Sequence, residues 1–165
     1  NKLQQQYPFQ IEIVDHNEIH KKEVDVYSPC AMGNDIRISR ISHMNCKIIC
    51  GAANNQLDIN DPSIAKQQLL DHNILYIPDT IANAGGVFRS AGVILKSRDE
   101  QESFKLITTI YDRTLNILDM ASEHRISPAD VCTEIGQAIK GKPNRFKMKL
   151  DGLAGVKAGN NTYKI

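Results

Sequence analysis

The stretch from Lys47 to Asp79 constrains this chain more than any other. It reads as an apolar run, "KIICGA", then "DPSIAKQQLLDHN", then a second apolar run, "ILYIPD". Two strands separated by a helix-length connection pair in parallel, because a tight turn can join only antiparallel neighbours. A strand, a helix of about three turns and a strand make a right-handed crossover the default. The helix announces its start: Asp61 is placed to cap it and Pro62 to occupy its first position, with Ile64, Leu69 and Leu70 expected on the buried side. "CKIICGA" is the more uniformly apolar strand, as expected where both faces are covered. Upstream, "FQIEIV" (Phe9–Val14) alternates like a strand with one wet face, and "VDVYSP" (Val24–Pro29) is a strand stopped by proline. The sum is an α/β chain built on an open, mostly parallel sheet with flanking helices.

The pattern changes after Arg98. "DEQESFKLITTIYDRTLNILDMASEHR" places Phe104, Ile107, Tyr111, Leu115 and Leu118 at steps of three or four, acidic at its start and basic at its end, which predicts one long amphipathic helix. "SPADVCTEIGQAIKG" predicts another, capped by Ser127, with Pro128 at its first position and Gly141 closing it. Ile126 through Ile165 reads as a separate tail. Its glycines, "GLAGVKAG", lack the GxGxxG spacing and a preceding strand, so they give little support to a phosphate site. Two regions follow: a sheet domain over 1–98 and a C-terminal helical segment and tail over 99–165.

Composition removes several functions. A net charge of +1, 5% aromatic residues and no tryptophan give no footprint for nucleic acid. Apolar runs of a few residues cannot cross a bilayer, and no secretory leader is visible, so a cytoplasmic protein is expected. Cys46 and Cys50 lie four apart on a strand, about 13 Å along one face, too far for a disulfide or a shared ion. No metal site is expected.

Three segments fall at the carboxyl ends of the strands, where open sheets of this kind bind ligands: "SPCAMG", "GAANNQ" and "PDTIANAGGVF". Small residues there let a backbone approach a ligand closely. The polar groups suit orientation more than bond cleavage, since no Ser-His-Asp grouping, acid pair or HExxH is among them. The paired amides of Asn54 and Asn55 pose the sharpest question: each must find a partner in a ligand or in an Asx-type turn of its own backbone.

In this order and spacing, "DVYSPCAMG", "KIICGAANNQL" and "ILYIPDTIANAGGV" resemble the C-terminal nucleotide-binding domain of the glutamate/leucine/phenylalanine/valine dehydrogenases. The likeness runs from about Asn1 to Ser122 and is nearest to the leucine, valine and phenylalanine branch. It implies a partial Rossmann-like fold followed by C-terminal helices. It also implies NAD-dependent oxidative deamination of an apolar, leucine-like L-amino acid to a 2-oxo acid and ammonia. By that resemblance Gly51 is cofactor-binding, Ala52, Ala53 and Asn54 run along the nicotinamide ribose, and Cys30 and Ala31 line the adenosine side. Asn83 steadies the loop beneath the nicotinamide, with Gly85 and Gly86 admitting the ring. Asn54 reaches substrate as well as cofactor, Val87 faces the substrate side chain, and Ser90 stands where the family tends to place an apolar residue.

The family's glycine turn, its ribose-binding acid, and the lysine and aspartate that do the chemistry are expected upstream of Asn1. The first strand, glycine turn and second strand of the nucleotide fold are thus expected to be missing, and no catalytic residue is assigned within this chain. The expectation is a fragment that is inactive alone and belongs to a homo-oligomer when complete. The rival is a binding or assembly module that kept the fold without the chemistry.

Overall fold

A computed structural model of the chain describes residues 11–94, 99–141, 156–158 and 161–163. Three strands, β1 (Glu23–Tyr27), β2 (Asn45–Ile49) and β3 (Leu75–Tyr76), form an open sheet in the order β1-β2-β3 with every pairing parallel. The register sets Tyr27 beside Ile49 and Ile49 beside Tyr76. Alternation along a strand therefore gathers these three side chains on one face. There they meet Ile36, Ile41 and Leu69, all fully buried or nearly so, from the segments crossing that face. Two of those segments are helices, α1 (Ile38–Ile41) and α2 (Pro62–Asp71).

The expectation that β2 is covered on both faces does not hold among the described residues. Val24, Val26 and Leu75 share the other face and are all exposed. The strand expected at Phe9–Val14 is corrected too. Ile11–Val14 has no strand pairing, and Ile13 is 75% exposed; Phe9 and Gln10 lie outside the described residues. An alternating run becomes a strand only where a sheet edge is in reach, which periodicity does not encode.

α2 begins as its sequence requires. The Asp61 carboxylate accepts from the N–H groups of Ser63 at 3.1 Å and Ile64 at 3.0 Å, and Pro62 opens the first turn. Its buried stripe is Ala65 and Leu69, whereas Ile64 and Leu70 stand 47% and 41% exposed. Residues four apart stack on one face, and the stripe passes between the two larger neighbours.

After β3 the chain forms α3 (Asp79–Ala82) and α4 (Ala84–Ile94) with Asn83 between them, so the segment read as a loop is largely helical. The long helix expected after Arg98 is two, α5 (Glu100–Thr108) and α6 (Ile110–His124). Thr108 and Thr109 sit at the break, and their hydroxyls donate back to the carbonyls of Lys105 and Leu106, both at 2.7 Å. Such back-bonding competes with the helix ladder. The apolar steps shift accordingly: Phe104, Tyr111 and Leu115 are exposed, while Ile117 and Ala121 are buried against Val131 of α7 (Pro128–Ile139). α7 carries its expected Ser127 cap and Pro128, and Gly141 follows at φ +67°. The stretch from Ile126 is not separate at its start, because Lys66 of α2 donates to Asp130 of α7. Within the glycine run, β4 (Val156–Ala158) pairs antiparallel with β5 (Asn161–Tyr163); the rest of that run lies outside the described residues.

Candidate functional site

Two close backbone approaches lace "SPCAMG" to "GAANNQL". A Cβ on Gly51 would lie 2.2 Å from the Pro29 carbonyl oxygen, and one on Gly33 would lie 2.6 Å from that of Asn54. No side chain fits at either point. Hydrogen bonds follow the same seam: Ala53 N–H donates to Pro29 O at 2.9 Å, Asn34 N–H to Asn55 O at 2.7 Å, and Ile36 N–H to Gln56 O at 2.9 Å.

The amide that holds the turn is neither of the paired asparagines. It is Gln56, fully buried, whose Nε2 donates to the carbonyls of Gly51 and Ala53, both at 2.8 Å. Sequence reasoning missed it. The available signal was the third amide in "NNQ", since a buried amide with matched carbonyls is the cheapest pin for a turn without regular pairing.

Asn55 has a left-handed backbone, φ 52°, and its N–H donates to the Asp79 carboxylate at 2.6 Å. Asn54 is different. Its Oδ1 accepts from Asn83 Nδ2 at 2.5 Å, and the same Nδ2 lies 3.3 Å from Ala52 O. The Asn54 side chain is therefore bonded across the cleft and not to its own turn. Its Oδ1 thus already accepts one hydrogen bond within the protein, while Nδ2, on an exposed residue, has no partner among the described residues.

Ala52, Asn54, Asn83, Gly86, Val87, Ser90 and Ile94 line one cleft of about 480 Å³ at the carboxyl ends of the strands. Six residues singled out in the sequence thus meet there: Ala52, Asn54, Asn83, Gly86, Val87 and Ser90. Five others do not line it. Gly51 and Ala53 are buried in the turn, Cys30 and Ala31 are exposed at the end of β1, and Gly85 is turned toward Ile107 and Ile110. Cys30 stays close, however. Hydrogen bonds from Ser28 and then from the Ala52 backbone hold its thiol below the usual range, and its Sγ is 3.3 Å from Ser28 Oγ.

A second cavity of about 470 Å³ shares Asn54, Asn83 and Val87 with this cleft and adds Asp79, Phe88 and Arg113. A third and larger one, about 930 Å³, lies behind the turn between Asn34, Lys66 and Thr133. Tyr76 lines it, its hydroxyl pKa pushed up first by burial and then by Asp79. Among the described residues no three His, Cys, Asp or Glu side chains are grouped to hold a metal, and all four cysteines are free. Among those residues, too, no helix is long and apolar enough to cross a membrane.

An open parallel sheet with a small-residue cleft at its strand ends defines a ligand-binding α/β class. Comparison with known proteins narrows it. The profile of the Glutamate/Leucine/Phenylalanine/Valine dehydrogenase family matches residues 2–128, and the chain belongs to that family. It is 34% identical over 137 residues to L-tryptophan dehydrogenase of Nostoc punctiforme, covering 83% of this chain and 38% of that protein. It is 35% identical over 136 residues to valine dehydrogenase of Streptomyces albus, covering 82% and 36%. The crystal structure of the Nostoc punctiforme enzyme superposes with a TM-score of 0.67 at 34% identity, over 74% of this chain and 36% of that one. Hetero-hexameric glutamate dehydrogenase from Thermus thermophilus shares the fold, with a TM-score of 0.55 at 17% identity over 70% and 28%. The chain spans little more than a third of the length of the curated relatives just described, 38% and 36%.

Proposed function

We propose that this chain is the cofactor-binding part of an amino-acid dehydrogenase that oxidatively deaminates an apolar, leucine-like L-amino acid to its 2-oxo acid and ammonia, with NAD as acceptor. The observation that carries the reading is the convergence of Ala52, Asn54, Asn83, Val87 and Ser90 on one cleft. Family membership supports the reaction class.

The cleft fits a nicotinamide riboside. Ala52 is exposed, and a Cβ on Gly86 would meet nothing within 4 Å, so a flat ring can lie against that wall. When bound, NAD supplies the hydride acceptor. Asn54 Nδ2 is the donor that orients a carbonyl or carboxylate there, held in place because Asn83 has taken its oxygen. Val87 and Ser90 bound the substrate side chain, and Cys30 and Ala31 flank the adenosine side. The described residues lining the cleft carry no titratable side chain, which supports a general base supplied by another part of the protein and a chain that does not turn over alone. Exposed Phe104, Tyr111 and Leu115 on α5 and α6 support subunit packing in a homo-oligomer.

Saturation-transfer NMR with NAD tests the reading. Weak binding is expected, with saturation reaching the nicotinamide and its ribose. Ala52→Trp, which fills the cleft from an exposed position, should abolish it. Saturation confined to adenine, or a signal indifferent to Ala52→Trp, overturns the assignment. NADH formation by this chain alone from leucine, valine or phenylalanine would show that a base does lie within it.

A further inference from the structure

Arg113 of α6 opens onto the second cavity, the one of about 470 Å³. Its Nε donates to Thr109 Oγ1 at 2.8 Å, one turn back along the chain. Its guanidinium carbon lies 5.6 Å from the centroid of the Phe88 ring, within the range of a cation–π contact. These contacts hold the side chain without neutralising it. Among the described residues the arginines in ion pairs are Arg40, with Asp35, and Arg89, with Glu100. Arg113 has no carboxylate in reach, and its two terminal nitrogens have no hydrogen-bond partner among those residues.

That is an unusual state for a half-buried guanidinium. Taking a charge partly out of water is unfavourable unless an opposite charge meets it. Burial lowers the pKa of Arg113, yet an arginine stays charged at any physiological pH. Asp79, the carboxylate that shares the cavity, is engaged elsewhere: it accepts from Asn55 N–H at 2.6 Å and faces the Tyr76 hydroxyl. The remaining walls beside Arg113 are largely apolar, with Ile81, Val87, Phe88 and Ile110 among them.

We propose that Arg113 is an anion-receiving residue and that this cavity binds a small carboxylate carried on an apolar body. The carboxylate lies on the two Nη groups, a planar fork that matches it in a bidentate manner. The apolar body lies against Val87, Phe88 and Ile110. A pyrophosphate is the poorer match, because among the described residues Arg113 is the one cation lining the cavity, and the Asp79 carboxylate that also lines it repels a multiply charged anion more than a singly charged one. The volume falls within the range of small-molecule sites, about 300–1,000 Å³. Apolar amino acids and their 2-oxo acids have this form, and in linking the carboxylate to them the inference rests on the proposed dehydrogenase reading. Carboxylate binding by itself rests on the geometry.

The test is a titration of the chain with isovalerate, its neutral isostere isovaleramide and inorganic pyrophosphate, following the Arg113 Nε–H signal by nitrogen-edited NMR. Isovalerate should shift that signal saturably and the amide should not. Arg113→Gln should weaken isovalerate binding by about tenfold or more, and Arg113→Lys should recover part of the loss. An Arg113 signal unmoved by isovalerate, or moved equally by the amide, overturns the proposal. A response to pyrophosphate alone overturns it in favour of a phosphate site. The wild-type signal is read directly, so a variant that fails to fold does not remove the test. Isovalerate binding in a chain that NAD does not touch would keep this inference and discard the dehydrogenase reading. The reverse result would discard only this inference.

Discussion

Asn54 and Asn55 show how two identical side chains, adjacent in sequence, are given different work. Asn55 occupies a left-handed backbone at φ 52°, a region that costs most residues about 1 kcal/mol and that asparagine and glycine tolerate. Asn54 accepts from Asn83 through its oxygen, and its Nδ2 at the cleft has no partner among the described residues. Asn55→Ala should therefore lower stability by about 1 kcal/mol, and Asn55→Gly should restore it. In a dehydrogenase carrying the rest of the family's length, Asn54→Ala should leave the melting temperature nearly unchanged. It should lower kcat/KM by about a hundredfold, the scale expected when a reacting geometry loosens by about 1 Å. Parallel melts and kinetics on the three variants check this, and an Asn54→Ala that melts early but turns over normally would reduce Asn54 to a turn residue. The pairing with Asn83, 29 positions along the chain, could not be read from the sequence, and for Gln56 the third amide in "NNQ" was a signal that did not name its partners. Both depend on which carbonyls the fold brings within 3 Å.

At the scale of elements, starts were legible and faces were not. Caps are chemistry between neighbours: Asp61 and Pro62 begin α2, and Ser127 and Pro128 begin α7, as their sequence order requires. Asp61→Ala should cost about 1 kcal/mol, since the N–H groups of Ser63 and Ile64 lose their acceptor, while Asp61→Asn or Asp61→Ser should retain most of it. Urea unfolding of the three variants measures the difference, and an unaffected Asp61→Ala would mean that water replaces the cap without loss. The buried stripe is a tertiary property. Ile64 and Leu70 lie exposed beside α2 while the smaller Ala65 faces the sheet. α5 and α6 part at two threonines that a hydrophobic period alone does not register.

For the whole molecule, alkaline pH is the informative stress. Burial pushes the Cys132 thiol up to about 11, and Cys46, Cys50, Tyr27 and Tyr76 are also raised, burial being the first cause in each. In each case the folded state holds its proton more tightly than the unfolded chain does. The corresponding stability is complete below the unfolded pKa and is lost as pH climbs toward the folded one. Cys30 is shifted the other way, and its contribution is lost as pH falls through its lowered pKa. Lys47, hydrogen-bonded to Asp25, is raised as well, and Arg113 is lowered by burial. Six raised groups against two lowered ones predict a melting temperature that drops between pH 9 and about pH 11. Cys132→Ala should make that drop shallower. A melting temperature level across the window in the wild-type chain would contradict these shifts.

The sequence by itself determined the parallel βαβ order, the small-residue segments at the strand ends, the helix caps and the family likeness. Each is carried by contacts between neighbours in the chain or by a spacing that only one connection satisfies. Tertiary structure alone decided which of the small residues face the cleft, which helix faces are buried, and that Arg113 stands beside Phe88 with no ion-pair partner among the described residues. Those outcomes depend on which surfaces meet through space, and a residue's own neighbours in sequence hold no information about a partner twenty or more positions away.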